Sequence, residues 1–212
     1  MSSAEEALSR LRAGNARFVE RIESAASVSR EIAPVTLPRE QNPMAIVLGC
    51  ADARVPAELV FDQGLGDLFV IRVAGNIVAP SGIGSIEFAA SRFGTRLVVV
   101  LGHTECGAVT ATVEELLRPA GEQSPNLRSI VERVRPAIAP VVEGCGHTHT
   151  DTIVPEAVRA NIRHSVAQIR KGSEILEQLI QEDGLKIVGA EYDLASGRVH
   201  FLDDALDDAG EA

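Results

Sequence analysis

Apolar and polar positions along the chain change period several times, and each change marks an element. From Ala4 to about Glu23, Leu8, Leu11, Phe18, Val19 and Ile22 fall near one face and charges fill the rest, which predicts an amphipathic helix. Residues 24–43 carry Pro34, Pro38 and Pro43 and read as an irregular arm. Met44-Ala45-Ile46-Val47-Leu48 is a continuous apolar run closed by Gly49, the pattern of a buried strand. A short helix is expected from Pro56 to Phe61, a strand from Asp67 to Val73, a tight turn at Ala74-Gly75-Asn76 and a helix from Ser81 to Phe93, stopped by Gly94. Leu97-Val98-Val99-Val100-Leu101 is a second buried strand, followed by a helix from Glu105 to Leu117.

The C-terminal half continues the alternation. Residues 119–146 are punctuated by Pro125, Pro136 and Pro140 and predict two short helical pieces. Val158, Ile162, Val166, Ile169, Leu176 and Leu179 keep helical spacing, so the longest helix is expected over 152–181, with Gly172 as an irregularity. His164 falls among its polar positions and reads as a surface residue. Leu185–Tyr192 and Arg198–Leu202 alternate as strands about a Ser196-Gly197 hairpin turn, with His200 on a sheet face, and the acidic end, 203–212, reads as frayed. Strand, helix, strand in succession predicts an α/β fold with right-handed crossovers. The expectation is a single domain over 1–212: a mostly parallel sheet of about four strands plus a C-terminal antiparallel edge strand, flanked by helices, with an N-terminal helical arm over 1–43.

Composition sharpens this picture in few places. With 45% hydrophobic residues but only 3% aromatics and no Trp, the core must be aliphatic. A formal net charge of -10 argues against nucleic acid or an anionic membrane as partner. The start is acidic, without the pattern of a secretory leader, and no apolar run approaches a membrane span. The count of 3 cysteines is odd, which disfavours a disulfide framework and leads to a cytoplasmic expectation.

The chemistry gathers at two predicted strand ends. The first strand delivers Cys50-Ala51-Asp52-Ala53-Arg54, and the second Gly102-His103-Thr104-Glu105-Cys106-Gly107. Ligands of open α/β sheets bind at the carboxyl ends of strands. Either half alone is equally at home as packing, since cysteine is among the most buried residue types. If the strands are parallel neighbours, however, Cys50, Asp52, His103 and Cys106 converge, and zinc takes thiolate, imidazole and carboxylate ligands in a tetrahedron. Two cysteines and a histidine suffice for a catalytic zinc with one open position, which Asp52 is placed to close. Cys145-Gly146-His147-Thr148-His149 is a second metal-like fragment, but its glycine-flanked context and missing fourth ligand favour an exposed loop.

These motifs, together with Phe61-Asp62-Gln63-Gly64-Leu65-Gly66-Asp67-Leu68-Phe69-Val70-Ile71-Arg72-Val73-Ala74-Gly75-Asn76, resemble the β-class carbonic anhydrases, in order, from about Ala4 to Leu202. The resemblance implies reversible hydration of carbon dioxide to bicarbonate by a hydroxide generated on one Zn2+ per chain. It makes Cys50, His103 and Cys106 the metal ligands, with Asp52 the fourth ligand of a closed state. It pairs Asp52 with Arg54, an arrangement that would hold the carboxylate off the metal or release it onto it. It also implies a homodimer or homotetramer, in which the N-terminal helix reaches across to a partner and Gln41, nine residues before Cys50, points into the partner's site as a donor to bicarbonate. Phe69, Val73 and Phe88 are candidates for the apolar wall, although core packing explains both phenylalanines equally well. Two thiolates donate more charge than imidazoles, so the metal's water should be less acidic than in a three-histidine site, and activity should rise toward alkaline pH. Relatives with the same ligands hydrolyse carbonyl sulfide or carbon disulfide, which is the alternative enzyme reading. A structural zinc closed by all four ligands is the non-enzymatic one, and an arginine clamp on Asp52 argues against it.

Overall fold

The computed structural model describes residues 2–24, 40–118, 124–146 and 149–202. Five strands form one sheet in the order β2-β1-β3-β4-β5. Strands β1 (Ala45–Gly49), β2 (Leu68–Arg72), β3 (Leu97–His103) and β4 (Lys186–Tyr192) run parallel, and β5 (Val199–Phe201) pairs antiparallel with β4. This is the α/β architecture expected, with the antiparallel strand at one edge. Every residue of β1 and β3 is buried, as their unbroken apolar runs require for strands covered on both faces. Alternation then divides the core. Ile46, Leu48, Val98, Val100 and Ile187 face one way, while Val47, Leu97, Val99, Leu101 and Val188 face the other.

Two helices cover the second face. Helix α1 (Ala4–Glu23) starts with a capping box in which Ser3 and Glu6 exchange side-chain and backbone hydrogen bonds, and it buries Ala4, Ala7, Leu11 and Phe18 with α2 (Ala57–Val60). It therefore lies on its own domain. Asn15 is the polar rivet of this docking. Its Nδ2 donates to the carbonyls of Val60 (3.0 Å) and Gly197 (2.9 Å), and its Oδ1 accepts from the Val199 N–H (2.9 Å). Arg17 and Arg21 add exposed ion pairs to Asp62.

The first face carries α3 (Pro80–Arg92), α4 (Gly107–Leu117), α5 (Pro125–Gly144), α6 (Thr150–Lys171) and α7 (Glu174–Glu182). Two elements differ from the sequence pattern. The prolines predict two short pieces where there is one 20-residue helix, with Pro136 and Pro140 inside it. They stand one turn apart on its exposed side, so the carbonyls left without a donor face water. Conversely, the single long helix expected over 152–181 is two, broken at Gly172, with Ser173 capping α7 by accepting from the Leu176 N–H. Helix α6 packs closest to the sheet at Ile162. A Cβ at Gly102 would sit 2.6 Å from that side chain, and one at Gly189, on the neighbouring strand, 2.8 Å from it.

His164 is half-buried rather than on the surface, and its Nε2 is enclosed without a hydrogen bond, so burial pushes its pKa down. His200 is exposed in β5 opposite Glu191, on a sheet face as expected. Most of the arm with Pro34 and Pro38, His147, and the acidic end over 203–212 lie outside the described residues. Among the described residues no helix is long and apolar enough to cross a membrane.

Asn15→Ala removes both members of this polar rivet and leaves two carbonyls and an N–H without partners in a buried place, at a cost of roughly 3 kcal/mol. Urea denaturation should show the midpoint fall with an unchanged slope, and an unchanged midpoint would refute the role.

Candidate metal centre

Parallel pairing of β1 with β3 sets Gly49 level with Leu101, so Cys50 leaves its strand beside Gly102 and one residue short of His103. His103 is the last residue of β3, two residues beyond the apolar run. A turn through Thr104 and Glu105, the latter at φ 56°, brings the chain back to Cys106, the N-cap of α4. The turn is tied to the end of β4: the Thr104 N–H donates to the Tyr192 carbonyl, and the Thr104 hydroxyl accepts from the Leu194 N–H.

Three side chains converge here. The sulfurs of Cys50 and Cys106 are 4.0 Å apart, and with a ring nitrogen of His103 the three atoms lie within 4.8 Å of one another. All three residues are buried. The imidazole is oriented by its surroundings. Its Nδ1 lies 2.8 Å from the Thr104 carbonyl, which can only accept, so Nδ1 carries the proton. Nε2 then holds a lone pair, and it is buried without a hydrogen bond. An acceptor in that position is costly unless something takes the pair. A tetrahedral zinc with bonds of about 2.3 Å to sulfur needs its two thiolates roughly 3.8 Å apart, close to the spacing here. Two thiolates and a neutral imidazole therefore fit zinc.

The charges on the cluster follow its contacts. Cys50 is the acidic member. Its pKa falls well below that of an ordinary thiol because Cys106 donates to its sulfur, against the opposing effect of burial, and His103 and the N–H of Gly75 at 3.3 Å add to the effect. The same contact, with burial, pushes the Cys106 pKa up, although the N–H groups at the start of α4 favour its thiolate. Burial lowers the pKa of His103, but the Cys50 sulfur and the Thr104 carbonyl outweigh it and the net shift is upward.

Asp52 stands beside this group with Oδ2 3.9 Å from His103 Nε2. Arg54 holds the carboxylate on both oxygens: Nε donates to Oδ1 (3.0 Å), Nη2 to Oδ2 (2.9 Å), and the Arg54 N–H to Oδ1 (2.9 Å). That fork keeps the Asp52 pKa down at about 2. Glu105 also lies 3.6 Å from Arg54, on the exposed side. The loop itself is fixed by Arg72 of β2, which donates to the carbonyls of Cys50 (3.0 Å) and Asp52 (2.5 Å). Sequence reasoning gave Arg72 and Gly75 no part here, and the signals were a lone arginine ending an apolar strand and a glycine in a tight turn.

The remaining predicted residues are not gathered at this point. Val73 follows β2 at the level of Cys50, its N–H donating to the Gly49 carbonyl. Phe69 pairs with Ile46, four residues and about 13 Å down the strand. There it clusters with Phe88 and Phe93, ring centroids 5.7–6.3 Å apart, and Phe88 remains 54% exposed. Gln41 is exposed and precedes β1, so the whole strand, roughly 16 Å long, separates it from Cys50 of the same chain. Cys145 ends α5, outside the group.

Comparison with known proteins bears on the same residues. A family model described as carbonic anhydrase matches residues 45–199. A carbonic anhydrase of Mycolicibacterium smegmatis is 41% identical over 204 residues, covering 95% of this chain and 94% of that protein. Carbonic anhydrase 2 of Mycobacterium tuberculosis is 38% identical over 174 residues, 81% of this chain and 79% of that one. Among solved structures, a β-carbonic anhydrase of the fungal pathogen Aspergillus fumigatus superposes with a TM-score of 0.71 at 27% identity, covering 89% of each chain. A Coccomyxa β-carbonic anhydrase shares the fold, with a TM-score of 0.69 at 24% identity.

If the three residues hold the metal, His103→Ala and Cys106→Ser should each reduce bound zinc from about one ion per chain to nearly none, whereas Cys145→Ser should keep it. Elemental analysis of purified protein decides this, and full zinc in the first two variants would refute the assignment.

Proposed function

The chain belongs to the β-class carbonic anhydrase family, and from that premise we propose that it hydrates carbon dioxide reversibly at one zinc held by Cys50, His103 and Cys106. The observation that carries this reading is the unshared, buried lone pair of His103 Nε2 facing two sulfurs 4.0 Å apart. When bound, zinc supplies the Lewis acidity that makes water a nucleophile at accessible pH.

The protein's own residues do the rest. Thr104 fixes the imidazole tautomer, so that one nitrogen is free to ligate. Arg54 holds both oxygens of Asp52, which keeps the carboxylate beside the Cys50, His103 and Cys106 group rather than in it. In that position, 3.9 Å from His103 Nε2, Oδ2 would be able to accept a hydrogen bond from the nucleophile and orient it. Released by Arg54, the same carboxylate would be free to act as a fourth ligand to a metal held by Cys50, His103 and Cys106, and so to close the site. Low pH would favour that closed state, because a carboxylate competes more easily with neutral water than with hydroxide. A permanently closed, structural site would have no use for the fork.

Gln41 and the phenylalanines belong to a second copy's chemistry in this reading. Gln41 lies a strand length from its own Cys50, Phe69 belongs to edge strand β2, and the exposed Phe88 of α3 packs on Phe69. A second chain across that edge would meet the exposed Phe88 face and receive Gln41 as an amide donor to bicarbonate. Val73 stands beside Cys50 and forms apolar wall within the chain.

Stopped-flow assays of zinc-loaded protein should show carbon dioxide hydration that rises from pH 6.5 to pH 9, with an acid limb. Arg54→Ala should retain zinc, lose roughly 10- to 100-fold in rate and move the acid limb upward. Full zinc with no hydration at any pH would reject the reading and direct the search to carbonyl sulfide and carbon disulfide. An acid limb unmoved in Arg54→Ala would reject the gate alone.

Mixing tests the crossed site. Gln41→Ala and Cys106→Ser chains, each poorly active alone, should regain about a quarter of wild-type activity when refolded together as random dimers. A mixture no better than the mean of its parts would place Gln41 outside the partner's site.

A further inference from the structure

Helix α6 supplies none of the candidate ligands, yet two of its buried polar side chains are aimed at the turn behind Cys50. Asn161 is 1% exposed, and its Nδ2 donates to the Gly75 carbonyl at 2.8 Å. Ser165, also 1% exposed, donates through Oγ to the Asn76 carbonyl at 3.2 Å. The two are four residues apart on one helix, so they share a face. They hold a turn that does not hold itself easily. Gly75 has φ 69° and Asn76 φ 43°, two successive left-handed residues, the second with a side chain. Gly75 also has no room for a side chain, since a Cβ there would lie 3.0 Å from that of Ala108. The product of this strained geometry is one directed group: the Gly75 N–H, which donates to Cys50 Sγ at 3.3 Å.

We propose that Asn161, assisted by Ser165, is a positioning residue for the metal centre, fixing the Ala74–Asn76 turn so that the Gly75 N–H stays on the Cys50 sulfur. The inference rests on the reading of Cys50 as a metal ligand. A hydrogen bond to a ligating sulfur withdraws charge from it, so the sulfur gives less to the metal and the metal keeps more of its pull on its fourth ligand. Groups of this kind, which orient a ligand rather than bind the metal, commonly change metal affinity by 10- to 100-fold when removed. Neither residue touches substrate in this reading, and both act through a backbone amide.

Cobalt(II) replaces zinc as a spectroscopic probe, since sulfur-to-cobalt charge transfer in the near ultraviolet reports the electron density on the thiolates. In Asn161→Ala the band should move to longer wavelength, because a sulfur without its donor gives up charge more readily, while the zinc dissociation constant should rise roughly tenfold because the sulfur is no longer held in place, a loss that outweighs its stronger donation. Ser165→Ala leaves the Asn161 bond in place and should shift the band less, in the same direction. It carries the test should Asn161→Ala fail to fold. Asn161→Ser, which keeps a donor on the same face, should restore part of the shift. A folded Asn161→Ala with lower thermal stability but the wild-type band and zinc affinity would reduce the residue to a packing role and overturn the proposal. So would an unmoved band in Ser165→Ala if Asn161→Ala does not fold. A wild-type protein with no sulfur-to-cobalt band would fail differently, because it removes the metal reading and this inference with it.

Discussion

The pairing of β1 with β3 is the constraint on which the centre depends. Cys50 and Cys106 are 56 residues apart, and nothing local brings them together. What does is a parallel register in which Gly49 meets Leu101, itself enforced by two fully buried strands. A slip of one residue would turn Ile46 and Leu48 from one core to the other and carry Cys50 away from Cys106. The aliphatic core is thus the jig in which a metal site is assembled. Hydrogen bonds then trim the fit: Arg72 to the loop after Cys50, Thr104 to the end of β4.

Burial creates the site's affinity as well as its shape. A histidine acceptor with no donor and two sulfurs of opposed protonation tendency form an uncomfortable arrangement in an aliphatic interior. A single cation placed among them would satisfy all three groups at once. Asp52 is the contrasting member, because its charge is already satisfied by Arg54 at the solvent edge. One carboxylate is therefore held in reserve next to three groups that are not satisfied.

How much of this is legible in the sequence depends on where the information is stored. Cys50, Asp52, His103 and Cys106 announce themselves because each carries chemistry in a side chain at a strand end. The strands are legible because burial on both faces leaves unbroken Val and Leu runs. Helix α5 is not, because the cost of Pro136 and Pro140 depends on which side faces water, and that is decided by the docking of the whole helix. The break at Gly172 has a local signal, a glycine followed by a capping serine, that the continuing apolar spacing of Leu176 and Leu179 conceals. The contributions of Gly75, Thr104 and Asn161 lie in backbone groups and in partners that only the fold selects. Gln41 and Phe88 are legible only through the family resemblance, because within one chain neither lies beside the Cys50, His103 and Cys106 group.

Ile162 offers a last consequence. One side chain rests on two glycines, Gly102 and Gly189, from neighbouring strands. The history of these positions is therefore shared. An alanine at either glycine meets the same isoleucine, so each change is harmful for one common cause, and a prior shortening of residue 162 to alanine removes that cause for both. Residue 162 on the helix thus sets which residues the sheet can accept beside His103, so tolerance at 102 and at 189 is decided together.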